Sequence, residues 1–251
     1  MATITHSIPA GESSLPKDLH PGDSRQKLIV ALDVSTAAAA QKIVAAVGDS
    51  ALTYKVGMQL YTAVGPQIVR DLVASGRNVF LDLKYHDIPN TVGKAVSEAA
   101  KLGVSMLTVH ASGANKMLRA AVDAAKARPG LMVLAVTVLT SMDGDDVEAI
   151  GMQGTLQESV NRLAALALAN GCHGIVSSAR EASTLRTKLG DGFAIVTPGV
   201  RLAGGSVGDQ VRVVTPAEAI AAGASHIVVG RPITGAADPA AEARAILSQI
   251  S

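Results

Sequence analysis

A single cysteine, two phenylalanines and no tryptophan occur among the 251 residues, and each scarcity excludes something. One cysteine, Cys172, rules out an internal disulfide and a cysteine zinc cluster. With His173 beside it a two-ligand metal site is one reading, but a small buried thiol next to a strand is preferred. The formal net charge is +1, so no global field draws the protein onto nucleic acid or an anionic membrane. Any anionic ligand must be held by a few local charges. No apolar run of about 18 residues is present, so no transmembrane helix is expected. The N-terminus lacks a basic segment followed by an apolar core; no secretory signal is read, and the expected location is the cytoplasm.

What is plentiful is aliphatic. Hydrophobic residues make up 48% of the chain, carried by Ala, Val, Leu and Ile, which suits strands buried on both faces. Residues 1 to 25 are rich in Ser, Pro, Gly and His without hydrophobic period and read as a flexible extension. His6 and His20 are there read as solvated tail residues. Residues 26–251 read as one domain.

From Leu28 onward, short apolar runs alternate with amphipathic or Ala-rich stretches. Strands are expected at Leu28–Asp33, Leu52–Gly57, Asn78–Lys84, Met106–His110, Met132–Leu139, Gly174–Ser177, Ala194–Pro198 and His226–Gly230. Helices are expected at Ala37–Val47, Pro66–Ser75, Thr91–Leu102, Lys116–Ala127, Leu156–Ala169, Pro216–Ala222 and Pro239–Ser248. Asp238 before Pro239 is a start signal, and Gly103, Gly171 and Gly223 are stop signals. Eight strands alternating with helices predict a parallel sheet, closed most simply into a single-domain (β/α)8 TIM barrel. A doubly wound open sheet is the competing architecture, but no Gly-x-Gly-x-x-Gly turn follows the first strand.

Barrel active sites lie at the C-terminal ends of the strands, so the charged strand ends are the candidates: Asp33, Lys55, Asp82 with Lys84 and Asp87, His110, Arg201 and Arg231. Asp82 and Lys84 are two apart in a strand and point to one side. Buried charges are costly unless paired, so these two are expected to contact each other, with Lys55 joining from the neighbouring strand and Asp87 completing an alternating set. A plain ion-pair network at the barrel mouth is the competing reading. As chemistry, a carboxylate facing a substrate carboxylate raises the ground state, and the repulsion disappears as carbon dioxide leaves. A neighbouring ammonium stabilises the developing carbanion and then protonates it.

The run Val228–Ile233 breaks at Gly230-Arg231, where glycine admits an anion to the backbone and arginine offers a fork of donors. Phosphate commonly binds after strands seven and eight. Between Arg201 and Gln210 the glycines Gly204, Gly205 and Gly208 read as a closing loop.

These residues carry a resemblance. The chain resembles the orotidine 5′-phosphate decarboxylase family over everything after the tail. The matching segments are Ala31–Asp33, Tyr54–Gly57, Asp82–Thr91 (DLKYHDIPNT), Val138–Ser141, Pro198–Arg201, Gln210 and Gly230–Pro232. The Asp-x-Lys-x-x-Asp element alone is shared with related sugar-phosphate barrels; the full set is specific. The resemblance implies decarboxylation of orotidine 5′-phosphate to UMP, the last step of de novo pyrimidine biosynthesis, without cofactor or metal. It implies Lys84 as proton donor to C6, Asp82 facing the leaving carboxylate, Lys55 orienting Asp82 and touching ribose, and Asp33 on a ribose hydroxyl. Thr140 would read the pyrimidine edge, Gln210 would bridge base and phosphate, and Arg231, the Gly230 amide and Arg201 would hold the phosphate. It also implies a homodimer in which Asp87 and Thr91 reach the partner's site. His86 and His110 are read as structural. The alternatives are a metal-dependent sugar-phosphate decarboxylase or aldolase, which needs an extra acidic ligand, and a catalytically silent nucleotide-binding barrel.

Overall fold

The apolar runs close into a barrel. In the computed structural model, which describes residues 22–201 and 214–250, the strands are β1 (Leu28–Ala31), β2 (Thr53–Gly57), β3 (Asn78–Tyr85), β4 (Met106–His110), β5 (Met132–Val136), β6 (Gly174–Val176), β7 (Ala194–Thr197) and β8 (His226–Val229). Each pairs in parallel with its sequence neighbour, and β1 with β8 closes the ring at Leu28↔Ile227. The closed (β/α)8 barrel expected from the alternation is therefore the observed one, and the open sheet is excluded.

Twelve helices are described: α1 (Ser24–Lys27), α2 (Ala37–Val47), α3 (Met58–Val64), α4 (Gln67–Ala74), α5 (Pro89–Lys101), α6 (Ala114–Ala125), α7 (Gly144–Ala149), α8 (Leu156–Ala169), α9 (Ala179–Leu189), α10 (Pro216–Ala221), α11 (Arg231–Thr234) and α12 (Pro239–Leu247). The Asp238 carboxylate caps α12 by accepting from the Ala241 amide, with Pro239 opening the helix. Gly103 and Gly171 stop their helices at φ +84° and +85°, a region open to glycine at little cost. No described helix is long and apolar enough to cross a membrane.

Alternation along each strand divides the core in two. Leu28 and Val30 face the helices, while Ile29 and Ala31 face the lumen, where they meet Phe80, Met106, Leu134 and Val228. The lumen is thus a packed plug and not a pore. Packing there leaves no slack at β6. A Cβ on Gly174 would lie 2.4 Å from the Ala194 carbonyl oxygen on β7, a backbone atom that cannot swing aside. Gly174→Ala is expected to destabilise the barrel by about 1–3 kcal/mol through overpacking, read as a lower denaturant midpoint at unchanged m-value.

Candidate active site

Continuing the inward-facing column past the apolar plug gives the site. The residues next in phase after Ala31, Thr53 and Phe80 are Asp33, Lys55 and Asp82, and all three line one cavity of about 490 Å³ at the C-terminal mouth. Lys84, Thr140, Arg201, Gly230 and Arg231 line the same cavity. A volume of that size is in the range of small-ligand sites, roughly 300–1,000 Å³.

The charges alternate across the mouth. Lys55 Nζ lies 2.9 Å from Asp33 Oδ1 and 3.9 Å from Asp82 Oδ2. Lys84 Nζ donates to both Asp82 oxygens, at 2.8 and 2.9 Å. The order is therefore Asp33, Lys55, Asp82, Lys84, each charge flanked by its opposite. The Asp82 and Lys55 side chains are only 14% and 13% exposed, so this pairing meets the condition under which buried charge is tolerated. Gly57 ends β2 directly above: a Cβ there would approach Lys55 Nζ to 3.0 Å, so glycine keeps the space over the ammonium open.

The contact between Asp82 and Lys84 forms as expected, but not by simple strand alternation. Leu81 pairs with Leu107 and Tyr85 with Val109, so Asp82, Leu83 and Lys84 together face the single residue Thr108. Lys84 takes φ +52°, a left-handed conformation costing roughly 1–2 kcal/mol for a residue with a Cβ. The bulge turns the Lys84 side chain back over Asp82, the kind of re-aiming for which bulges recur beside active sites.

Asp87 lies beyond the end of β3, exposed, with Oδ1 accepting from its neighbour Ile88 amide at 2.6 Å. Thr91 is exposed on the first turns of α5. Neither is among the residues lining this chain's own cavity. His86 and His110 lie outside the lining as well, their rings in tilted contact at 5.4 Å. Burial, with the neighbouring His86 and Lys84, holds His110 below the usual histidine range.

Arg201 and Arg231 line the same cavity. Arg201 is buried, at 8% exposure, and desolvation followed by the nearby Arg231 charge lowers its pKa. A buried guanidinium beside an exposed one on the same cavity wall offers donors suited to an anion. Facing the charges, Phe80, Val136, Val138, Val176 and Val228 supply an apolar wall. Gln210 and the glycines expected to form the closing loop lie outside the described residues.

Two residues of this mouth were not expected from the sequence, Thr108 and Gln59. Gln59 lines the cavity and donates to Ser35 Oγ at 2.9 Å. Thr108 shares the inward phase of His110 two residues on, which is the signal that marks it. Cys172 is a buried thiol pushed up to about 12 by desolvation, and His173 Nδ1 accepts from the Val133 amide. Among the described residues no group of His, Cys, Asp or Glu could hold a metal ion.

Fold and site together define a (β/α)8-barrel enzyme with an alternating charged cluster and two arginines lining one cavity at the strand ends. The comparisons with known proteins are specific. Residues 26–246 match the model of the Orotidine 5′-phosphate decarboxylase / HUMPS family. A protein from Halorhodospira halophila named orotidine 5′-phosphate decarboxylase is 52% identical over 232 residues, spanning 92% of this chain and 98% of that protein. One of the same name from Idiomarina loihiensis is 50% identical over 226 residues, 89% and 97% of the two chains. The crystal structure of orotidine 5′-phosphate decarboxylase from Lactobacillus acidophilus superposes with a TM-score of 0.82 at 38% identity, covering 90% of this chain and 99% of that one. The chain belongs to the orotidine 5′-phosphate decarboxylase / HUMPS family.

Proposed function

We propose that this enzyme decarboxylates orotidine 5′-phosphate to UMP and carbon dioxide, the closing step of pyrimidine nucleotide synthesis, in the cytoplasm. The observation that carries the reading is the Asp33–Lys55–Asp82–Lys84 chain in one cavity with the Arg201–Arg231 pair. The arginines and the Gly230 amide take the phosphate, Asp33 and Lys55 take ribose hydroxyls, and Thr140 reads the edge of the base against the apolar wall. Gln210 spans base and phosphate.

Phosphate binding then holds the substrate carboxylate against Asp82. Their repulsion raises the bound ground state and is relieved as the C6–carboxyl bond breaks and its electron pair stays on C6. Lys84 stabilises that charge and delivers a proton from Nζ to C6, leaving a neutral amine that water reprotonates. An interaction that improves only as the bond breaks acts on kcat. In a poorly solvated site a fixed ammonium is worth more than the same charge in water.

The metal-dependent sugar-phosphate reading fits less well on the residues themselves. A divalent cation beside Asp82 needs further carboxylates, and the group that β2 presents there is the Lys55 ammonium, 3.9 Å from Asp82. The test is a pair of incubations. Orotidine 5′-phosphate in chelator is expected to give equimolar UMP and carbon dioxide, and a keto-sugar phosphate with magnesium no product; the reverse pattern would transfer the enzyme to the sugar-phosphate branch.

The functional unit in this reading is a homodimer. Asp87 and Thr91 flank Ile88, which is 65% exposed, and Met58, the first residue of α3, is 54% exposed. An exposed apolar residue between polar groups that do not line their own cavity suits a contact in which Asp87 and Thr91 enter the neighbour's site.

A further inference from the structure

Thr108 lies outside the ligand cavity lining and touches both Asp82 and Lys84. It is fully buried on β4 and absent from the cavity lining, yet it holds both members of the central ion pair. Its hydroxyl donates to Asp82 Oδ1 at 3.0 Å and accepts from the Lys84 backbone N–H at 2.9 Å. It is also the one β4 residue opposite the bulge of Asp82, Leu83 and Lys84. A regular ladder cannot satisfy three residues with one, and Lys84 is left in the left-handed region with its amide turned toward β4. The Thr108 hydroxyl supplies the missing acceptor.

We infer that Thr108 is a positioning residue for the decarboxylation proposed above. One oxygen fixes the backbone of the proton donor and the carboxylate it serves, and so sets Lys84 Nζ and Asp82 in register before substrate arrives. Preorganised groups do not have to reorient as charge develops. Loss of the hydroxyl frees the Lys84 amide to seek another partner and removes a donor from Asp82. Phosphate and ribose contacts are untouched. The effect therefore falls on kcat and spares KM and the affinity for UMP.

Threonine and valine have the same shape, so Thr108→Val removes the hydroxyl alone, Thr108→Ala removes it with a methyl, and Thr108→Ser restores it. For the hydroxyl-free variants kcat on orotidine 5′-phosphate is expected to fall about 10- to 100-fold, with KM and UMP affinity within about threefold of wild type. Lys84 amide exchange, followed by NMR, should accelerate at the same time. Thr108→Ser should recover most of kcat and the slow exchange. An active wild type with Thr108→Val within threefold in kcat overturns this inference alone, as does Thr108→Ser falling as far as Thr108→Val. Failure of both hydroxyl-free variants to fold would assign the hydroxyl to stability and overturn it too. An inactive wild type would instead overturn the decarboxylase reading on which it rests.

Discussion

Lys84→Ala is expected to lower kcat on orotidine 5′-phosphate by about 10⁴-fold or more, with UMP affinity within a few-fold of wild type. The size of the effect follows from the double duty of one ammonium. In the proposed mechanism it stabilises the charge that builds on C6 and is the acid that quenches it. Removing it also strips Asp82 of its two shortest contacts, at 2.8 and 2.9 Å. Asp82 then faces the substrate carboxylate with only Thr108 at 3.0 Å and the more distant Lys55 to offset it. UMP has no carboxylate and meets no such repulsion, while Arg201 and Arg231 are expected still to hold its phosphate. The split between lost turnover and kept product binding is read by single-turnover kinetics beside calorimetric titration with UMP. A variant retaining kcat within tenfold would remove Lys84 from the chemistry.

Mixing inactive subunits is expected to restore activity. Asp87→Ala and Lys84→Ala homodimers should each be inactive, because every site lacks either its own Lys84 or the neighbour's Asp87. After random exchange of equal amounts, half of the dimers are hybrids. Each hybrid has one site with both residues intact, so about a quarter of wild-type activity should return. The basis is the exposed position of Asp87, beyond the end of β3 and outside the lining of its own cavity. Titrating one variant against a fixed amount of the other should give activity proportional to the hybrid population. No recovery after subunit exchange is demonstrated by mass-labelled chains would contradict the shared site.

Much of the barrel was legible because its signal is local. The runs that became β1 to β8 are short, aliphatic and bounded by turn residues, and α2 and α8 fall at the expected residues, Ala37–Val47 and Leu156–Ala169. The helix α9 (AREASTLRTKL) was not anticipated because its core face is built from Ala179, Ala182 and Leu185 with little large apolar surface. Its capping box, Ser178 to Glu181, was the available signal. The charged strand ends were visible for the same reason as the strands: inward phase continues past the apolar plug and changes from aliphatic to charged. The order of the charges was not visible. Asp33, placed on the ribose by resemblance, also proves the nearest partner of Lys55, at 2.9 Å.

The role of Thr108 was out of reach for a different reason. It depends on a shift in register between β3 and β4, a relation between two segments that neither segment encodes alone. The left-handed Lys84 is equally invisible in the sequence, where lysine gives no warning of a positive φ. Strand alternation implies the contact between Asp82 and Lys84 but not the bulge that makes it.

In the proposed reaction the Asp82–Lys84 pair, with the arginine-held phosphate, removes the carboxylate of orotidine 5′-phosphate without a metal. The most direct measurement follows the ultraviolet absorbance of orotidine 5′-phosphate mixed with the purified wild-type enzyme in excess chelator. A rapid change to the spectrum of UMP is expected, at a rate proportional to enzyme. A spectrum that stays that of orotidine 5′-phosphate would contradict it.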